Sequence, residues 1–317
     1  MINKHLFVVF SCFTGAWLAC ADHGPATAGG GSNTQSGETL KRGQLAIETR
    51  FEFTEFEHLS QAEIDAGAAA AEHFDYLDSS LLTTQSFSYG VTNDVQLGIA
   101  LGYYAAFHPR QAELEGTDTE IVSFNPDGLT DLWLTSKWRF HKSRAGNFAI
   151  FGGVKFPTGR DNVRNSHGER VEPAATAGSG AVDGMIGLAY SRWLTSRLAL
   201  DASVQYIIRG KAHDFRLGDR LDGGVTLAYR LTPDIQRYPQ TSVFLETNVR
   251  HLFRNEEEGE SDPNSGGTVL FLSTGIRVGF SKHFAVTLAP QVPVVQDLNG
   301  RQLETEAKVV ATFSGTF

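Results

Sequence analysis

The sequence contains little cysteine and, beyond its N-terminal segment, no long hydrophobic run. Its two cysteines, Cys12 and Cys20, both lie near the N-terminus, so the chain after them has no thiol for a disulfide, a metal site or a nucleophile. After Ala21 no apolar stretch approaches the roughly eighteen residues that a membrane-spanning helix needs. These absences exclude cysteine chemistry and helical membrane spans from residue 22 onward.

The acidic balance and the missing catalytic motifs exclude further classes. A net charge of −9 argues against nucleic acid as a partner. No histidine pair has the HExxH spacing of a zinc enzyme, and Gly-x-Ser-x-Gly is absent. Ser166-His167 is the one pair that a lipid hydrolase could use, but it falls in a predicted connection, 157–180. We therefore expect no enzyme activity, no cofactor and no metal site.

The N-terminus predicts export. Leu6 to Ala19 is a mostly apolar run, and Ala19-Cys20-Ala21 offers the small-x-small pattern that signal peptidase cleaves. Residues 1–21 are thus interpreted as a signal peptide. The alternative is a lipoprotein modified at Cys20, although Trp17, Leu18 and Ala19 match the usual lipobox poorly.

A small, polar, Gly/Ser-rich segment follows the signal peptide. Residues 22–43 cannot bury enough apolar surface to offset the entropy lost on ordering. We predict a flexible arm that lies either in the periplasm or inside the lumen of the folded domain.

Residues 44–317 alternate between apolar and polar side chains in segments of about ten to fifteen residues, the pattern of β-strands. In the last segment Val309, Phe313 and Phe317 share one face, whereas Lys308 and Thr312 share the other. About twelve such segments occur, an even number, as single-chain bacterial barrels have. The prediction is an all-β, antiparallel transmembrane β-barrel of about twelve strands.

Three features favour this barrel over a soluble sandwich. Short connections alternate with long ones, including 293–299 among the long, and 232–240 is an intermediate exception. Aromatic residues of the apolar parity fall at the short-turn ends, where a membrane interface would hold them. They are Tyr89, Phe140, Phe148, Tyr190, Tyr229, Phe280, Phe284 and Phe317. The terminal Phe317 also resembles the signal that barrel-assembly machinery recognises.

The polar parity would face the lumen and carries charges of both signs. Its members are Glu48, Arg50, Glu52, Asp131, Lys137, Arg139, Lys155, Asp183, Asp201, Arg209, Asp222, Arg230, Glu246, Arg250, Arg277, Glu306 and Lys308. Eight are acidic and nine basic, so they can brace the wall as ion pairs, bind a solute, or do both. The candidates for solute binding are Lys155, Arg139, Lys137, Asp183, Asp201, Arg209, Glu246 and Arg250.

Several strings resemble a known family. Gly153-Val154-Lys155-Phe156-Pro157-Thr158-Gly159 is similar to a signature of the outer-membrane family named for the meta-pathway of phenol degradation. Gly178 to Asp183, Gly187 to Ser191, Pro290 to Pro293 and Gln296 to Gly300 resemble later parts of the same family. The resemblance spans roughly residues 44 to 317. It implies a barrel that passes small aromatic or hydrophobic solutes.

We therefore expect a cell outer-membrane barrel, residues 44–317, that takes up or exports a small solute passively. Its expected partners are outer-membrane lipid, the barrel-assembly machinery and the solute, with no nucleic acid. The main alternative is a structural or adhesive barrel whose lumen is closed by ion pairs. A lipid-modifying enzyme built on Ser166 and His167 is a weaker third hypothesis.

Overall fold

The computed structural model describes residues 30–70, 73–115, 118–234 and 236–317. The expected signal peptide, residues 1–21, and residues 22–29 of the expected arm lie outside these ranges. None of the described helices has the length and hydrophobicity that crossing a membrane as a helix would require.

Twelve antiparallel strands form one closed barrel in the described residues, which confirms the predicted fold. Each strand pairs with its neighbours in sequence, and the first and last strands pair with Ala46 opposite Thr316. The strands are β1 (Leu45–Phe56), β2 (Ser79–Gly90), β3 (Val95–Phe107), β4 (Leu132–Ser143), β5 (Gly146–Phe156), β6 (Asp183–Trp193), β7 (Leu198–Ile208), β8 (Arg220–Arg230), β9 (Gln240–Leu252), β10 (Gly267–Gly279), β11 (Phe284–Leu298) and β12 (Thr305–Thr316).

Burial alternates along the strands as the sequence alternates. In β8, Val225, Leu227 and Tyr229 are exposed on the outer face, whereas Asp222 and Thr226 are buried in the lumen. Successive side chains of a strand point to opposite faces, so one face is apolar throughout and the other polar. An outward apolar face and a polar interior are the pattern of a membrane barrel.

The two ends of the barrel differ. At the short-turn end, the connections are 91–94, 144–145, 194–197, 231–239 and 280–283, and the chain enters β1 there. The eight aromatic residues expected to form an interfacial girdle lie at this end. Phe148 packs on Tyr190 with ring centroids 4.7 Å apart, and Phe284 packs on Phe317 at 5.5 Å.

The other end, the long-loop end, carries folded loops. They contain α1 (Gln61–Ala70), a 3-10 turn (Pro173–Ala175) and short strands at His73–Tyr76, Arg110–Glu115, Asp118–Ser123, Gly128–Leu129, Lys211–Ala212, Phe215–Arg216, Glu256–Glu257 and Glu260–Ser261. Loops 57–78, 108–127 and 157–182, here called the loop cap, share a small apolar core with Phe56, Ile64, Phe74 and Val163 buried in it.

One predicted connection is wrong. Residues 293–299 were expected to form a loop, but β11 continues through them to Leu298. Proline cannot donate a ladder hydrogen bond, and Pro293 lies at a register shift between β10 and β11. The bulge accommodates the proline, so the strand continues toward the long-loop end.

Candidate solute pathway in the barrel lumen

Charged side chains line the inside of the barrel. Fourteen of the seventeen expected there are buried: Glu48, Arg50, Glu52, Asp131, Lys137, Lys155, Asp183, Asp201, Asp222, Arg230, Glu246, Arg250, Arg277 and Lys308. The side chains of Arg139 and Arg209 are 9% and 12% exposed. The lumen is thus mainly an ion-paired, hydrogen-bonded interior.

Glu306 is the one member of that set for which the prediction is wrong. Its side chain is exposed because β12 has a register irregularity at this point. Glu55 pairs with Ala307 and Phe56 with Thr305, so Glu306 is the extra residue of a bulge. A single extra residue reverses the parity, which is why simple alternation places Glu306 on the wrong face.

Residues 30 to 40 run inside the lumen, in the half nearer the short-turn end. Residues 30–37 are all buried, and Glu246 on β9 holds them. Its carboxylate accepts hydrogen bonds from the backbone N–H groups of Ser32 at 2.8 Å, Asn33 at 3.0 Å and Thr34 at 2.7 Å. The hydroxyls of Ser32 and Thr34 donate to it as well, at 2.6 and 2.7 Å. One wall carboxylate therefore satisfies five donors of the arm.

Other wall groups bind the arm along its length. Arg277 donates to the carbonyl of Gly30 at 3.0 Å, and Arg50 donates to the Asn33 side chain at 2.7 Å. The hydroxyls of Ser36 and Ser191 are 2.9 Å apart. The arm is held chiefly by polar groups, so a Gly/Ser-rich sequence without a hydrophobic core can still be fixed in place.

The backbone of the arm passes so close to the barrel wall at two positions that only glycine fits there. A Cβ atom on Gly31 would lie 2.1 Å from the Glu246 carboxylate, and one on Gly37 would lie 2.4 Å from the Asn147 carbonyl oxygen. Both distances are far below van der Waals contact. The narrow lumen therefore requires glycine at these two positions of the arm.

In the other half of the lumen, a charged tetrad links the ends of four neighbouring strands, β4 to β7, to the loop after β5. Its members are Asp131, Lys155, Asp183 and Arg209. Lys155 Nζ lies 2.9 Å from Asp131 and 2.6 Å from Asp183, and Arg209 lies 2.8 Å from the same Asp183. Ser179 donates its backbone N–H to Asp131 at 3.0 Å, and its hydroxyl contacts Lys155. The tetrad is electrically neutral and fixes part of loop 157–182 inside the barrel mouth.

A cavity of about 120 Å³ lies between this inward loop and the arm-filled half. One part of its lining is apolar, with Leu82, Ala100, Trp133, Ala174 and Leu217. Another part is charged, with Asp131, Lys155, Arg209, Arg220 and Arg250. The last two cations share the Asp222 carboxylate, at 2.8 and 3.0 Å. The cavity can therefore hold a small molecule that has an apolar body and a polar group.

Two buried carboxyl groups lie in the loops above the cavity. Burial raises the pKa of Asp75 to about 7, with Glu113 adding to the shift and a hydrogen bond from Gln111 opposing it. Burial also raises the pKa of Glu172 well above its usual range, and the nearby Asp75, Glu257 and Asp262 raise it further. Neither carboxylate oxygen of Glu172 accepts a hydrogen bond. In the described ranges, no group of three or more acidic, histidine or cysteine side chains is arranged to hold a metal ion.

The comparisons with known proteins identify this arrangement. A family profile described as "Putative MetA-pathway of phenol degradation" matches residues 61–292. The chain belongs to this family. No curated protein sequence is significantly similar to the chain.

One solved structure shares the fold, and two others are similar at lower TM-scores. The COG4313 outer-membrane channel of Pseudomonas putida F1 is 12% identical, with a TM-score of 0.61 over 88% of this chain and 97% of that one. The β-domain of the Bordetella autotransporter BrkA is 11% identical, with a TM-score of 0.47 over 87% and 100%. The monoaromatic hydrocarbon channel CymD is 12% identical, with a TM-score of 0.41 over 87% and 88%. The protein is thus a barrel of the outer membrane, whose short turns face the periplasm and whose long loops face outward.

The segment Lys155-Phe156-Pro157-Thr158-Gly159, which resembles a signature of the phenol-degradation family, has a structural explanation here. Thr158 accepts the backbone N–H of Leu132 at 3.0 Å, and Gly159 donates to Asp131 at 2.9 Å. A Cβ on Gly159 would lie 2.8 Å from the Asp131 backbone nitrogen. The signature therefore fixes the inward turn of the loop, and Lys155 adds the ion pairs that hold it.

The structure separates the eight solute-binding candidates into four places. Lys155, Asp183, Arg209 and Arg250 lie at or beside the cavity. Glu246 and Asp201 bind the arm, and Lys137 is buried in the lumen wall. Arg139 lies at the periplasmic rim, where it bonds Asp94 at 2.7 Å and the Asn93 carbonyl.

Sequence reasoning missed two groups at the cavity. Arg220 shares the inward parity of Asp222, and extending the predicted strand by one residue would have found it. Ser179 and Ala174 reach the lumen only because a loop folds inward. No local pattern in the sequence signals that second placement.

Proposed function

We propose that the barrel is a gated, passive channel for small solutes, in which the arm closes the periplasmic half of the lumen. The observation that carries this proposal is the hydrogen bonding of residues 30–37 to the inner wall. The arm fills a conduit that would otherwise be polar and continuous with the cavity. Membership of the phenol-degradation family and the fold shared with an outer-membrane channel support it.

The cavity indicates the size and character of the solute. An apolar protein cavity of about 150 Å³ binds benzene, so about 120 Å³ is suited to a single ring or a molecule of similar size. Trp133 and Leu82 would contact the ring, and Lys155, Arg209 and Arg250 would contact a polar substituent. We assign the remaining candidates, Asp183, Asp201, Glu246, Lys137 and Arg139, to holding the wall and the arm.

The wall beside the cavity has a local change in strand pairing. The β3–β4 ladder pairs Ala100 with Trp133 and resumes where Tyr103 pairs with Leu129. Between these pairs, Thr130 donates to the Gly102 carbonyl, and its hydroxyl accepts the Gly102 N–H, both at 2.9 Å. These hydrogen bonds close the wall at this point, so the described contacts leave the arm as the element that blocks the conduit.

A reversible cross-link between the arm and the wall tests the proposal. The Ser36 and Ser191 hydroxyls are 2.9 Å apart, and no cysteine occurs after Cys20, so S36C/S191C would form one defined disulfide. We expect single-channel conductance in planar bilayers to be low when the disulfide is formed and to rise severalfold after reduction. The reason is that only the reduced arm can leave the lumen.

The single variants S36C and S191C are the controls, and neither should respond to reductant. Equal conductance before and after reduction, with the disulfide verified by mass spectrometry, would contradict a gating arm.

The alternative is a structural barrel with a closed lumen, favoured by the ion pairs of Lys155 and of Asp222. A folded barrel that shows no conductance with the disulfide either formed or reduced would support this alternative instead.

A further inference from the structure

The periplasmic rim of the barrel is strongly basic, although the chain as a whole carries −9. Eight exposed cations lie at this end, on four turns or strand ends and at the exit of the arm. They are Lys41, Arg42, Lys142, Arg144, Arg192, Arg197, Arg237 and Lys282. The side-chain carboxylates at the rim are Glu38, Asp94 and Asp234, counted over the described ranges.

Most of these positive charges are not neutralised within the protein. Asp94 already bonds Arg139 at 2.7 Å, and Asp234 lies 3.3 Å from Arg237. The other seven cations form no ion pair within 4 Å among the described residues. The positive charges around the rim repel one another, and a bound external anion would reduce this repulsion.

The distribution of the cations points to the kind of anion. They lie around the rim and not on one side of it, beside the aromatic girdle. Trp138 and Tyr229 are 55% and 41% exposed on the outer face at the same end. Aromatic side chains in this position lie at the level of lipid headgroups. A ring of charge at that level matches a ring of lipids better than a single protein partner.

We propose that the periplasmic rim is a binding surface for anionic phospholipid headgroups, such as phosphatidylglycerol, in the inner leaflet. Basic groups near a membrane surface attract anionic lipid, and salt screens this attraction. The proposal does not depend on channel activity, because the rim lies outside the cavity and is separate from the arm-binding wall.

Tryptophan fluorescence can measure this preference directly. Trp138 lies on the lipid side of the rim. Trp133 is buried and faces the lumen, and Trp193 shares the inward parity of Ser191, so Trp138 is the reporter. The protein is reconstituted in vesicles that mix phosphatidylcholine and phosphatidylglycerol, with either lipid carrying brominated chains. At low salt we expect phosphatidylglycerol to bind beside Trp138 at least about threefold more strongly than phosphatidylcholine, and about 1 M salt should remove the preference.

The rim variant replaces Lys142, Arg144, Arg192 and Arg197 with Gln, on the turn that follows the strand of Trp138 and on the next basic turn. A matched control replaces four exposed cations of the outer loops, Arg164, Arg170, Lys211 and Arg254, with Gln. The preference should disappear in the rim variant and persist in the control.

Equal quenching by both lipids in the unaltered protein would overturn the proposal. So would a preference that survives in the rim variant or disappears in the control. If the rim variant does not fold, the salt titration of the unaltered protein decides, since a preference insensitive to salt is not electrostatic.

Discussion

At the scale of single residues, Lys155 shows how a signature residue can stabilise the fold through buried ion pairs. Its ammonium lies between Asp131 and Asp183, and its side chain is only 5% exposed. A buried charge with two opposite partners is stable only while both interactions remain. Its position on the cavity wall makes it a solute contact in the proposed channel, but the bracing role is already present without solute.

We predict that Lys155→Met destabilises the barrel. Removing the cation leaves Asp131 and Asp183 buried with less compensation, and breaking such a pair costs about 3–5 kcal/mol. Urea-induced unfolding of the refolded barrel should therefore shift to a lower midpoint.

Lys142→Met serves as the control because Lys142 is exposed at the rim, and it should leave the midpoint nearly unchanged. An unchanged midpoint for Lys155→Met would show that the tetrad contributes little to stability.

At the scale of elements, the loop cap combines an apolar core with buried acids. Asp75 lies in the strand His73–Tyr76, and Glu172 precedes the 3-10 turn that enters the barrel mouth. The pKa values of both are raised mainly by burial, so the folded loops hold protons that the unfolded chain releases. Packing of the cap should therefore depend on pH.

The direction in which loop stability changes with pH follows from how many protons the folded and unfolded chains bind. An unfolded Asp loses its proton near pH 4, and folded Asp75 loses it at about 7. At pH values below both of these, Asp75 is protonated in the folded and in the unfolded chain, so it does not make the stability depend on pH. As pH rises from about 4 to 7, the folded loops become progressively less stable, because they must eventually bury a charge.

We predict faster hydrogen exchange in residues 73–76 and 170–175 at pH 8 than at pH 5, after correction for intrinsic rates. Asp75→Asn and Glu172→Gln should reduce the difference, since neither substituted side chain titrates. Asp118→Asn, an exposed change on a neighbouring hairpin, should not alter it. The same pH dependence in all three variants would assign it to other groups.

At the scale of the whole molecule, the lipid-facing surface follows from strand parity. Val204 is 45% exposed in the middle of β7, while its neighbours Ser203 and Gln205 face inward. An arginine facing hydrocarbon near the midplane costs about 2–4 kcal/mol. Because each outward position meets lipid separately, one substitution is enough to test the assignment.

We predict that Val204→Arg lowers the folded fraction on refolding into lipid vesicles, measured by heat-modifiable electrophoresis. Leu114→Arg makes the same chemical change on an exposed outer hairpin and should refold normally. Normal refolding of Val204→Arg would contradict the position of the bilayer on the barrel.

The sequence by itself determined the barrel, its strand number and most of its lumen face. Strand parity is a local property of period two, so Lys155, Arg250 and Glu246 could be placed inward without any knowledge of neighbours. Glu306 and the loop predicted at 293–299 were wrong where a bulge shifted the register, because bulges depend on the paired strand.

Only the tertiary structure decided what fills the lumen. The sequence of residues 22–43 allows either a periplasmic or a lumenal arm, because Gly and Ser carry no hydrophobic pattern that selects a location. The choice depends on Glu246, which is more than two hundred residues away in sequence and supplies the acceptors for the arm. The pairing of Lys155 with Asp131 and Asp183 likewise depends on strand register and barrel closure, which are properties of the assembled sheet.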